Sequence, residues 1–319
     1  MRPFLSHRLL LVLPTLIGAT LLVFLLMRVL PGDVAYTLLA GDEGAAQVDP
    51  DSLALLRHQL GTDRPLHVQY LDWLSGIPRG DLGTSMWNRL PVAGEIARRL
   101  PLTIEVALLS VLLGFGAGLP LGIVSALRRN TLTDSIARFT SVLFLAIPSF
   151  WLGMLILMFT VHFYNWMPPL GYFLPWKQPG ANLTQILFPS LVIGSHIMAI
   201  VTRMTRSTML EVLQEDYIRM ARAKGFSERQ VVMRHAMKNS MIPVITIVSL
   251  SFGSLLGGTI IMERVFSVPG IGSYLIESIT VRDYTATQAL VLLFGGSFIL
   301  INLLVDIAYG WLDPRISHP

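Results

Sequence analysis

The richest reserve of chemistry-bearing side chains lies at residues 207–243, STMLEVLQEDYIRMARAKGFSERQVVMRHAMKNSMIP, between two long apolar stretches. Eight lysines and arginines fall between Arg203 and Lys238. These residue types suit contact with a charged or polar partner better than bond-making. Elsewhere no catalytic constellation forms. The seven histidines are scattered: His235 follows Arg234 in the charged run, while His162 and His196 sit on different apolar segments. A metal held by two of them stays open, but no spacing favours it. With no cysteine there is neither a thiolate ligand nor a disulfide. Ser149 and Ser195 have no acid–base partners in pattern, and no G-x-x-x-x-G-K-[ST] loop exists to cradle phosphates.

Within the charged run, two helical halves meet at Gly225, whose freedom at positive φ fits a tight turn. Ser227, with Gln230 three residues on, fits a capping box opening the second half. Small residues at Ala221 and Ala223 would let the first half sit closely in a partner's cleft. Arg219, Arg222, Lys224 and Arg229 would meet an acidic or polar surface. The competing reading is a solvated loop that merely carries positive-inside bias.

The elements that hold this run are apolar. The 319 residues are 53% hydrophobic and only 14% charged, where a soluble domain carries nearer a quarter, and the mean hydropathy is +0.61. An integral membrane protein follows. The pI near 9.6 then reflects basic residues collected in cytoplasmic loops, and no nucleic-acid partner is expected.

Apolar runs long enough to span a bilayer lie at residues 9–30, 101–127, 135–164, 185–206, 241–262 and 288–311. The first lacks an A-x-A-like cleavage site and is read as a retained span, not a signal peptide. Residues 31–100 form a polar external region, with helices expected at 53–60 and 67–74 and a turn at Gly80–Gly83. It is read as a small ordered cap, because Tyr70, Trp73 and Trp87 need somewhere to pack. Residues 165–184 and 263–287 are the remaining external loops. Arg2, Arg8, Arg128, Arg129, Arg138, the eight basic residues of the charged run and Arg315 fall inside; Lys177, Arg264 and Arg282 fall in the short external loops. Both termini are therefore expected in the cytoplasm.

Inside the spans, Gly114, Gly118 and Gly122 recur every fourth residue and predict a close helix contact, with Gly116 beside them. Pro148 predicts a kink in the third span. Pro148, Ser149, Gly253 and Gly257 are candidate pathway residues, although packing explains the fifth-span glycines at least as well. Glu105, Asp306, Arg28 and Arg203 all lie near span ends, where snorkelling or an interhelical pair accounts for them. A proton relay would need charge nearer the middle. No inverted repeat is visible, so a self-powered carrier is disfavoured.

EDYIRMARAKG followed by RHAMKNSMIP resembles the EAA loop of permease subunits of bacterial ATP-binding-cassette importers, and more narrowly the peptide/nickel branch of dipeptide and oligopeptide permeases. LPGD (30–33), GDLGTS (80–85), RMTRSTMLEVL, VFSVPGIG (265–272), RDY (282–284) and NLLVD (302–306) resemble the same branch, in order along nearly the whole chain. Arg219, Met220 and Ala221 stand where the general motif has Glu-Ala-Ala, and the proline falls later, at Pro243. Gly225 matches the family's glycine.

The resemblance implies an all-α polytopic fold of the type I importer class. It would have six transmembrane helices, a cytoplasmic coupling helix–turn–helix and a sizeable periplasmic region, in the bacterial inner membrane and surrounded by lipid. It implies a permease that is not itself an enzyme and binds no cofactor, with ATP and magnesium on two cytoplasmic ATPase subunits. A homologous second permease and a periplasmic solute-binding protein would complete the importer. The ATPase-coupling residues would be Asp216, Tyr217, Arg219, Ala221, Arg222, Ala223, Lys224, Gly225, Phe226 and Ser227. Di- or oligopeptides are the expected solute, with nickel, opine, glutathione or sugar solutes as alternatives. A non-transporting scaffold or sensor coupled to an ATPase is the reading from another class.

Overall fold

The computed structural model describes residues 2–29, 32–40 and 48–312, apart from side chains at 2–13, at most positions from 242 to 258 and at most from 302 to 312. Leu30 and Pro31 of the LPGD run, the Asp306 side chain, the surroundings of Gly253 and Gly257, and the tail with Arg315 lie outside the described residues. Helix dominates the described chain: α1 (Arg2–Val29), α2 (Val34–Ala40), α3 (Pro50–Leu60), α4 (Leu66–Gly76), α5 (Val92–Leu127), α6 (Leu132–Ala146), α7 (Ser149–Tyr164), α8 (Pro179–Val212), α9 (Asp216–Ala223), α10 (Glu228–Gln230), α11 (Met237–Val265), α12 (Ile271–Thr280) and α13 (Tyr284–Leu312). A π-helical stretch, Val231–Ala236, joins α10 to α11.

Three described helices are by themselves long and apolar enough to cross a bilayer: Val92–Leu127, Pro179–Val212 and Tyr284–Ile301. Two pairs separated by short breaks qualify together, Pro14–Val29 with Val34–Ala40 and Leu132–Ala146 with Ser149–Tyr164. Their outer faces are hydrocarbon: Leu22, Leu112, Phe139, Met158 and Phe163 are each more than half exposed. Exposed side chains of this kind suit lipid, not water.

The chain divides into two compact units, Met1–Pro101 with Gly270–Leu300, and Leu102–Pro269 with Ile301–Pro319. The first is built by local sequence signals and then by polar docking. Asp49 caps α3 by accepting from the Ser52 amide at 3.0 Å and its hydroxyl at 2.8 Å, which together hold the carboxyl below its usual range. Pro50 opens the helix and Gly61, at φ 69°, closes it. α4 then lies on α1. The Tyr70 ring meets Phe24 edge-on at 5.1 Å and its hydroxyl pairs with Thr20 at 3.0 Å. Arg28 donates to Gln69 at 2.7 Å while stacking 3.5 Å over Phe24. The expected cap therefore packs through Tyr70 and Trp73, but not through Trp87, which is 42% exposed on the tight turn between Thr84 and Pro91.

That turn is fastened to the start of α13 by one carboxylate. Asp283 accepts from the Ser85 hydroxyl, from the Met86 amide at 3.1 Å and from the Ala286 amide at 3.1 Å. Below it Val92, Ile96, Ile271, Tyr274, Ala286, Ala289 and Leu290 form an apolar cluster. Residues 263–287, read as loop, thus contain the helix α12. Glu263, placed at that loop's start, is instead fully buried near the end of α11, where it accepts from the Thr103 hydroxyl at 2.6 Å.

The second unit is organised on α8, whose most apolar window is 56% buried against 28% for that of α5. Its core joins Leu102, Val106, Ile193, Ile197, Val201, Met262 and Phe266. The glycine stripe of α5 explains the fit. A Cβ at Gly114 would stand 2.6 Å from the Ile197 side chain, one at Gly118 2.8 Å from Val201, and one at Gly122 2.6 Å from Thr205. At Gly116, between them, nothing lies within 4 Å, so the contact follows the four-residue period and not glycine content. The Thr202 hydroxyl donates across the contact to the Gly118 carbonyl at 3.2 Å. At Ile147–Pro148 the α6–α7 pair turns by 98°, because the residue before a proline is held out of the helical region.

Candidate functional site

α8 ends at Val212, and the chain passes through Leu213, Gln214 and Glu215 into α9, with Asp216 in its first turn and Arg222 in its last, charges matched to the helix dipole. Ile218 and Ala221, three apart on one face, are buried. They join Ala126, Met209, Val231, Val232 and Ala236 in a small apolar core. Ala221 therefore packs inside its own chain and presents nothing to a partner's cleft, whereas Ala223 is exposed.

The turn follows the chemistry of its residues. Gly225 sits at φ 85° and a Cβ there would meet nothing within 4 Å, so its requirement is conformational and its outer side is open. Ser227 accepts from the Gln230 amide at 3.4 Å while the Gln230 side chain accepts from the Ser227 amide at 3.0 Å, completing the capping box. Three links hold the arms together. Arg222 donates to Glu228 at 2.8 Å, Asn239 donates to the Tyr217 hydroxyl at 2.7 Å, and the Phe226 and His235 rings lie 5.4 Å apart. The site is thus a folded hairpin and not a loose tether.

Its outer surface is cationic with apolar knobs. Asp216, Arg219, Lys224 and Ser227 are exposed; Tyr217 is 38%, Met220 57% and Phe226 41% exposed. Arg219 lies 3.4 Å from Asp216, a solvent-exposed pair worth under about 1 kcal/mol. Arginine, methionine and aromatics are the types enriched in protein interfaces. Sequence reasoning missed Met220; an apolar side chain on the charged face of α9 was the available signal.

It also missed Asp134, fully buried at the start of α6, since nothing in the sequence links it to Arg206, 72 residues away. Asp134 accepts from Arg206 Nε at 2.7 Å and Nη2 at 2.9 Å, from the Ser125 hydroxyl at 2.6 Å and from the Asn130 amide at 3.0 Å. This bidentate, fully bonded carboxylate joins the ends of α5, α6 and α8.

Of the pathway candidates, Pro148 caps α7 at the bend and Ser149 is its first residue, half-buried; Gly253 and Gly257 belong to α11. The described contacts do not bring the two pairs together. Among the described residues no group of three or more His, Asp or Glu stands ready to hold a metal. Glu105 accepts from Asn182 at 2.6 Å, a partner for one of the charges expected near a span end.

Comparison with known proteins agrees with this geometry. Residues 118–318 match the family of the binding-protein-dependent transport system inner membrane component, and residues 1–107 match its N-terminal component. The chain is 42% identical over 315 residues to the glutathione transport system permease protein GsiC of Salmonella typhimurium, with 99% of each chain covered. It is 38% identical to the dipeptide transport system permease protein DppB of Escherichia coli K12, covering 100% of this chain and 99% of that one. A chain of the MetNI methionine ABC transporter, in an inward-facing conformation, shares the fold at a TM-score of 0.56 with 18% identity, over 69% of this chain and 97% of that one. A charged hairpin between apolar helices, within an all-helical fold of the importer type and on a sequence matched end to end, makes the chain a member of the binding-protein-dependent transport system inner membrane component family.

Proposed function

We propose that this chain is one half of the translocation pathway of an ATP-driven, peptide-type importer, and that the α9–Gly225–α10 hairpin is where ATPase subunits push on it. The observation that carries the coupling role is the hairpin's two-sidedness. Ile218 and Ala221 anchor it to the ends of α5 and α8, while Tyr217, Met220, Phe226 and the arginines face outward. A surface so divided passes force applied outside into the helices it is packed on. Coupling requires contacts that differ between the two states of the ATPase pair.

In this reading the chain crosses the inner membrane six times with both termini cytoplasmic. It pairs with a homologous second permease and two ATPases, and receives solute from a periplasmic binding protein through residues 31–100 and the α12 segment. ATP and magnesium stay on the ATPase subunits. The names of the relatives, glutathione and dipeptide permeases, support a short peptide as solute. The test is reconstitution of all partners in vesicles with ATP inside. Accumulation of labelled di- or tripeptides, dependent on both ATP and the binding protein, is the expected result. ATP hydrolysis stimulated by the binding protein without accumulation of any solute that protein holds would reassign the chain to signalling.

A further inference from the structure

We propose that the Asp134–Arg206 clamp makes α6 a connecting rod, carrying movement of the hairpin to the Pro148 bend; this rests on the coupling role given above. Three observations converge. First, Arg206 lies on α8 within two turns of its junction with α9, so displacement of the hairpin that is carried into α8 reaches it. Second, Asp134 is fully buried and its carboxylate is saturated by Arg206, Ser125 and the Asn130 amide, with Arg138 a further 3.6 Å contact. Such a carboxylate cannot slide relative to Arg206 without leaving a buried charge unpaired, so the joint is rigid. Third, α6 runs from this joint to Ile147, where the 98° turn into α7 offers the next place for rotation. A rigid joint at one end and a proline bend at the other are what a rod needs. Hinges concentrate φ/ψ change in a few element-terminal residues.

The test uses the complete reconstituted importer, and the cysteine-free sequence allows spin labels at chosen sites. Labels at Phe139 on α6, Glu211 on α8 and Phe163 on α7 are all at exposed positions. On ATP binding the 139–211 distance should stay constant and the 139–163 distance should change. In Asp134→Asn the amide cannot accept from all four donors, so the pattern should reverse. Solute moved per ATP hydrolysed should fall about tenfold while the ATPases remain bound, a loss within the usual range of coupling energies. Asp134→Asn/Arg206→Gln, which leaves no charge buried alone, provides a second variant should the single one fail to assemble, and should be equally uncoupled. A wild-type 139–211 distance that changes while 139–163 holds still, or no change in either, overturns the rod. So does a transport ratio within about twofold of wild type in the double variant. Failure of the coupling role itself reads differently: Gly225→Trp would then transport normally, whereas failure of the rod alone leaves Gly225→Trp uncoupled.

Discussion

The segment around Asp283 and the hairpin around Gly225 use polar residues in opposite directions. At Asp283 the polar bonds run inward: the carboxylate holds Ser85, the Met86 amide and the Ala286 amide, and the turn it fastens is closed by its own backbone bonds, Ser85 to Leu90 at 2.9 Å and Val92 to Gly83 at 3.0 Å. At Gly225 the anchoring to the neighbouring helices is apolar, through Ile218, Ala221 and Val231, while Arg222–Glu228 and Asn239–Tyr217 join the two arms and the other charges, Arg219 with Asp216 among them, lie exposed. One region spends its polar groups on its own shape; the other leaves several of its charges on an open face. Substitutions should therefore separate stability from transport cleanly between the two.

The largest expected effect is at the hairpin. Gly225→Trp should insert normally yet lose ATP-driven uptake by about a hundredfold, near the upper end of coupling energies. A left-handed conformation costs a non-glycine residue about 1–2 kcal/mol, too little to unfold the protein. Gly225→Asn, which tolerates that conformation, should keep most uptake; equal loss in both variants would mean that backbone strain, not the open outer face, matters. Vesicle uptake beside detergent melting distinguishes them.

Next comes Asp283→Ala. It strands the Ser85 hydroxyl and two amides, at about 1–3 kcal/mol for each buried group left unpaired, and should lower the melting temperature by several degrees. A melting temperature as high as that of Asp216→Ala, an exposed change expected within about 0.5 kcal/mol, would erase the contrast between the regions.

Gly118→Leu tests the α5–α8 contact within the hairpin's own unit. With Val201 and the Met198 carbonyl 2.8 Å from a Cβ, overpacking should cost about 1–3 kcal/mol, while Gly116→Leu in open space should cost little. Thermal unfolding of the two variants side by side decides it. A small effect on stability is also expected from Arg222→Ala. Its exposed pair with Glu228 is worth about 0.2–1 kcal/mol, so melting should hardly move while ATPase association weakens and loses some salt dependence.

Much of this was legible in residue order because the decisive signals are local. The Gly225 turn, the Ser227–Gln230 box, the α3 and α4 helices and the four-residue glycine stripe each depend on neighbours within a few positions. Residues whose meaning depends on distant partners were misread or missed. Ala221 looked like an outward small residue because a short helix has two faces and sequence alone does not say which is covered. Glu263 looked like loop because its donor, Thr103, is 160 residues away. Trp87 looked like core because aromatics usually are.

By itself, then, the sequence determined the membrane class, the charged hairpin and the family resemblance, since hydropathy, turn chemistry and motif order are properties of contiguous residues. Tertiary structure alone decided which face of α9 remains available and that Arg206 is locked to Asp134. It also decided that Asp283, not the tryptophans, holds the turn between Thr84 and Pro91. Each of these is a pairing across many residues, and burial sets its energy, which residue order does not carry.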